Sequence, residues 1–119
     1  MSRKILNKFL RKWVRILKLS KPKWDKITID FGAEELQPEA VGFCRWSTEE
    51  RKAEVFVISP KEYLNFFNEE INEIFVEKVI IHELLHLVLE GGKSGKIKYE
   101  IHFEQGLNIL ADVLFEAWQ

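Results

Sequence analysis

The chain has 119 residues, 46% of them apolar and fifteen aromatic, with a formal net charge of −1. That length suits one compact domain and the apolar content supplies its core, which excludes a multi-domain chain, a disordered one and a disulfide-scaffolded miniprotein. The one cysteine, Cys44, can form neither an internal bridge nor a cysteine-based zinc site, so any metal must be held by His, Asp or Glu.

The charge is unevenly spread. Residues 1–26 carry ten Lys or Arg against Asp25, a balance of +9, whereas residues 27–119 carry eight against eighteen acids, a balance of −10. The two parts attract each other. No stretch reaches the ~18 uncharged apolar residues of a membrane span. The charged start from Met1 to Lys8 leaves no room for the apolar run of a secretory signal, so a soluble cytoplasmic protein is expected.

From Arg3 to Leu19 the residues Leu6, Phe9, Leu10, Trp13 and Leu17 fall on one helical stripe, and Lys8, Arg11, Lys12, Arg15 and Lys18 on the other side. This basic amphipathic helix ends at Ser20-Lys21-Pro22, where proline breaks the ladder. Three β-favouring runs follow, Lys26–Phe31, Ala40–Trp46 and Ala53–Ile58, with intervening segments of a length suited to antiparallel connections. Ser59-Pro60 closes the third, and the stretch from Lys61 to Asn72 leads into a long helix from about Glu69 to Glu90, stopped by Gly91-Gly92. A last helix is expected from about Lys98 to Ala117, with Phe103, Leu107, Leu110, Leu114 and Trp118 on its buried stripe. The fold class is α+β: an N-terminal amphipathic helix, a three-stranded mainly antiparallel sheet, then two helices.

The long helix contains His82-Glu83-Leu84-Leu85-His86. Residues four apart on a helix are separated by about 6 Å along the axis and only about 40° around it, so both imidazoles can reach one ion from one face. Glu83 projects beside that face, where it can take a proton from water activated by the metal without occupying a coordination position. Apolar flanks, Val79-Ile80-Ile81 and Leu87-Val88-Leu89, mark a buried helix, in which two histidines and a glutamate are costly without a function. The bland alternative is a pair of core histidines satisfied by backbone or carboxylate groups.

Catalytic zinc takes three protein ligands and keeps one position for water, so a third donor must come from elsewhere, and Glu90, Glu100, His102 and Glu104 are the candidates. Glu104 faces the expected buried stripe more closely than His102. It is also followed one turn later by Asn108, able to hold an imidazole ligand from behind.

A helix with His82, Glu83 and His86 followed by a helix with Glu104 resembles the gluzincin metallopeptidases, and the short chain is similar to the single-domain minigluzincins. The resemblance implies Zn2+ as cofactor, His82, His86 and Glu104 as its ligands, and Glu83 as general base and acid of an endopeptidase. The familiar glutamate helix has Asn before its ligand and Asp one turn after it; Phe103 and Asn108 stand there instead.

An extended peptide substrate would add as a strand along a sheet edge, with Glu54–Ile58 the expected partner because it precedes the active helix. Tyr63, Tyr99 and His102 are candidates for stabilising the oxyanion. Residues 1–22 form a segment distinct from a catalytic domain of residues 23–119, either packed as an ordinary helix or laid by charge attraction across the catalytic face, or that of a second copy, as an inhibitory, zymogen-like cover. Cys44 is expected to be a small buried side chain.

Expected partners are a peptide or unfolded protein substrate and, for self-association, a second copy; nucleic acid is not expected. The competing functions are a non-catalytic zinc-containing regulatory or nucleic-acid-binding protein, and a metal-dependent hydrolase of non-peptide substrates.

Overall fold

The computed structural model describes residues 1–32, 36, 40–90 and 101–119, with side chains in the last helix described from Gly106 onward. The elements, in order, are α1 (Arg3–Ile16), β1 (Lys26–Gly32), β2 (Gly42–Ser47), β3 (Lys52–Ile58), α2 (Pro60–Phe67), α3 (Glu73–Glu90) and α4 (Ile101–Ala117). This is an α+β fold, and no helix among the described residues is long and apolar enough to cross a membrane.

The sheet is mixed, in the order β1-β3-β2. β2 and β3 form an antiparallel pair, with Cys44 opposite Val55, while β1 runs parallel to β3, with Ile29 opposite Val55. The sequence expectation of antiparallel connections holds for the second link only. β2 takes the outer position and lies within the connection from β1 to β3, which has the length that a parallel pair requires. Arg51, with φ of 52°, then turns the chain back into the central slot. β3 is therefore paired along both sides, which removes it as the docking strand for an extended substrate. β1 and β2 are the two edge strands.

Three helix boundaries differ from expectation, each at a cap. α1 stops at Ile16, with Leu17 as its C-cap and Lys18 at φ of 54°, before Ser20-Lys21-Pro22 is reached. Ser59 accepts a hydrogen bond from the Glu62 backbone amide at 3.2 Å, and Pro60 stands at the first helical position, so α2 begins where the sequence suggested only the end of a strand. The Asn72 side chain accepts from the Phe75 amide at 2.9 Å, which starts α3 at Glu73 rather than Glu69.

α3 is the central helix and is buried nearly all round, from Val76 to Leu87. One core joins Val55 and Val57 of β3, Ile80, Ile81 and Leu84 of α3, and Leu6 and Trp13 of α1. Residues 1–22 thus share the core of the rest instead of forming a separate layer. α1 is fastened to α3 at the buried carboxylate of Glu77, which accepts from Trp13 Nε1 at 2.6 Å and from Lys12 Nζ at 2.8 Å. On the helical wheel Glu77 lies about 140° from His82 and 180° from His86. α1 therefore packs on the far side of α3 from the two imidazoles.

α4 buries Leu107, Ala111 and Phe115, with Leu114 half-buried, while Leu110 is 39% and Trp118 55% exposed. Relative to the expected stripe the helix is turned by about 60° toward Asn108. Lys78 of α3 holds this orientation through a 3.1 Å ion pair with Asp112 and by lying over the Phe115 ring at 5.1 Å.

Candidate metal centre

His82, Glu83 and His86 come from consecutive turns of α3, and one ligand atom of each lies within 4.8 Å of those of the other two. The imidazole rings stand 5.1 Å apart at 72° to each other, and His86 Nε2 is 3.9 Å from Glu83 Oε1. Burial grades across the group: His86 is 4% and Glu83 7% exposed, whereas His82 is half-buried and opens the site to solvent.

The contact that orients the pair comes from another helix. His82 Nδ1 donates to Asn108 Oδ1 of α4 at 2.7 Å. An amide oxygen can only accept, so Nδ1 carries the proton and Nε2 presents its lone pair. The rotation of α4 that exposes Leu110 is the one that swings Asn108 toward α3.

His86 is tuned by its surroundings. Burial first, and the neighbouring His82 second, lower its pKa from the usual 6.5 to about 4. The ring is therefore neutral at pH 7, the form in which a histidine binds a metal.

β2 closes the site on the side of Glu83. A methyl group built on Gly42 would stand 2.8 Å from Glu83 Oε2 and 2.7 Å from Val79 Cγ1, so only a residue without a side chain lets the strand lie this close to the carboxylate. Sequence reasoning placed Gly42 inside a strand without assigning it a role; an isolated glycine in a strand pattern was the available signal. Cys44, two residues along, is buried. Its thiol pKa is raised well above the usual value by desolvation and secondarily by Glu83.

The other candidates are not brought to this cluster, or fall outside what is described. Glu90 stands one turn beyond His86 at the end of α3 and is not among the three clustered residues. Glu100 and Tyr99 lie outside the described residues, as do Gly91-Gly92 and the side chains of His102 and Glu104, which α4 carries near its start. Tyr63 is turned into a ring cluster with Phe67 and with Phe75, the latter two turns of α3 before His82, and its hydroxyl donates to Glu69 at 3.1 Å.

Compared with protein-family models, with curated proteins and with solved structures, the chain matches none. What the site can do rests on its own geometry and chemistry.

Proposed function

We propose that the protein is a zinc-dependent endopeptidase of gluzincin type, in which His82, His86 and Glu104 hold the metal and Glu83 moves the proton. The observation that carries this reading is the His82–Asn108 hydrogen bond, because it fixes the tautomer that a metal ligand needs and does so from the helix that bears Glu104.

The donor set fits zinc: two neutral imidazoles and a carboxylate, with no thiolate, match the His2Glu type of catalytic site. By helical periodicity, position 104 lies between those of Leu107 and Asn108, the two residues that α4 turns toward α3. Position 102 lies on the opposite side of the helix from Ala111. This supports Glu104 over His102 as the third ligand. Zinc bound there supplies a Lewis acid for the scissile carbonyl and acidifies water.

The chain's own groups do the rest. Glu83, held between β2 and α3, accepts a proton from the attacking water as the C–O bond forms, then delivers it to the leaving amine as the C–N bond breaks. An extended peptide pairing with the β2 edge runs beside Gly42, which brings its backbone to Glu83 without a side chain in the way. The low exposure of Glu83 and His86 keeps bulk water from competing with the reacting groups.

Elemental analysis of the purified chain, followed by cleavage of denatured casein by the wild type and Glu83→Gln, tests this reading. The expected result is one zinc per chain in both proteins, with cleavage falling by about 10³-fold or more in the variant. Absence of bound metal, or equal cleavage by the two proteins, refutes it.

A further inference from the structure

On the wheel of α1 the buried residues Leu6, Phe9, Leu10 and Trp13 occupy one side, and Lys4, Lys8, Arg11 and Arg15 fall about 180° away. All four cations are exposed, as is Lys18 just beyond the helix. The two cations flanking this row are engaged elsewhere, Arg3 with Asp30 at 2.8 Å and Lys12 with Glu77 at 2.8 Å. Among the described residues no carboxylate pairs with Lys4, Lys8, Arg11, Arg15 or Lys18. α1 thus presents Lys4, Lys8, Arg11 and Arg15 as one outward line of positive charge.

We infer that this line binds the phosphate backbone of a nucleic acid. From Lys4 to Arg15 the cations advance along the axis by about 6, 4.5 and 6 Å, a total of about 16 Å. Duplex DNA presents one phosphate per strand every ~3.4 Å of its axis, so the row spans about five phosphates of one strand. A line one side chain wide suits a linear polyanion better than a flat anionic bilayer, which would also approach the net acidic residues 27–119. Moreover, an amphipathic helix that docks on lipid inserts its apolar face, and here Leu6 and Trp13 are fully buried in the core. On sequence grounds nucleic acid was not the expected partner, although a nucleic-acid-binding protein stood among the competing functions. The near-zero net charge conceals the basic side of α1, which helical periodicity marks and the burial of Leu6 and Trp13 turns outward.

Fluorescence anisotropy of a labelled 24-base-pair duplex with the full-length protein tests the inference, and its readout is binding, independent of metal and of peptide cleavage. With four to five phosphate contacts the log–log salt slope is expected near about −4, so affinity falls about 10²-fold between 50 and 200 mM NaCl. The fourfold variant Lys4→Gln/Lys8→Gln/Arg11→Gln/Arg15→Gln, checked for fold by circular dichroism, should weaken binding more than about tenfold at 50 mM and flatten the slope. Lys61→Gln, outside the row, should change neither.

If the fourfold variant does not fold, Lys8→Gln and Arg15→Gln singly should each reduce the slope by about one. Failure of the wild type to bind duplex at 50 mM NaCl overturns the inference. Unchanged binding by the folded variants, tighter retention on phosphatidylserine vesicles than on duplex, or a row that serves only to join two copies of the chain overturns it equally.

Discussion

His82 and Asn108 lie 26 residues apart and meet at 2.7 Å, joining the helix of the His-Glu-x-x-His motif to the helix that bears Glu104. The bond acts on two levels, since it clamps α4 against α3 and leaves Nε2 of His82 as the electron-pair donor. Asn108→Ala should therefore lower zinc affinity about 10- to 100-fold, measured by competition with a chromophoric chelator. Asn108→Asp, which keeps an acceptor at the same place, should retain affinity. Equal affinity in the Ala variant and the wild type would show that the bond does not orient a ligand.

Gly42 brings β2 close against Glu83 and Val79 of α3. Gly42→Ala places a methyl 2.8 Å from Glu83 Oε2 and 2.7 Å from Val79 Cγ1, so the carboxylate or the strand must move. Overpacking of this kind costs about 1–3 kcal/mol of stability. Zinc stoichiometry should be unchanged, because neither imidazole is touched, while kcat for casein falls at least about tenfold. Full activity in a destabilised variant would show that Glu83 does not need this wall.

The metal-free protein should lose stability on acidification through His86. Its folded pKa of about 4 lies below the unfolded value of ~6.5, so between these limits the unfolded chain binds more protons. The contribution is fully present above about pH 6.5 and disappears as pH falls toward 4, amounting to about 3 kcal/mol. Urea midpoints in EDTA at pH 7, 5.5 and 4.5 measure it. His86→Gln should flatten the dependence, and an equally steep decline in that variant would place the effect elsewhere.

The Glu77 carboxylate shows why α1 belongs to the core. It is 6% exposed and accepts from Trp13 Nε1 and Lys12 Nζ, so removing the indole takes away both packing and a hydrogen bond. Trp13→Ala should cost about 3–5 kcal/mol, read from denaturant unfolding. Trp13→Phe, which keeps most of the volume but leaves Glu77 with Lys12 alone, should cost about 1–3 kcal/mol. A loss below 1 kcal/mol for the alanine variant would mean that α1 is an appendage after all.

Cys44 supplies a probe of the same region. Desolvation and the nearby Glu83 charge hold its thiol pKa well above the ordinary value, so it stays protonated near neutral pH. Iodoacetamide should modify it at pH 7.5 only on the timescale of unfolding. Rapid alkylation of the folded protein would contradict the packing of β2 on α3.

Local chemistry accounts for what could be read from the sequence. The 3.6-residue period places His82 and His86 on one face and Leu6, Phe9, Leu10 and Trp13 on one stripe wherever those segments are helical, and the three β-branched and aromatic runs are strands. The capping pattern Ser59-Pro60-Lys61-Glu62 was also local, and reading it only as the end of a strand hid α2. α4 is different in kind. Leu110 and Trp118 compete with Ala111 and Phe115 for the inward side of a helix whose apolar arc covers more than half its circumference, so periodicity leaves the centre of the buried stripe open.

By itself, then, the sequence determined which side chains could share a helix face, because that depends only on the rise and twist of the backbone between them. Tertiary packing alone decided the order of the strands, the turning of Asn108 onto His82 and the approach of Gly42 to Glu83. Each depends on which of several nearly equivalent surfaces is removed from water against a distant segment. That choice is made by shape and burial over the whole core.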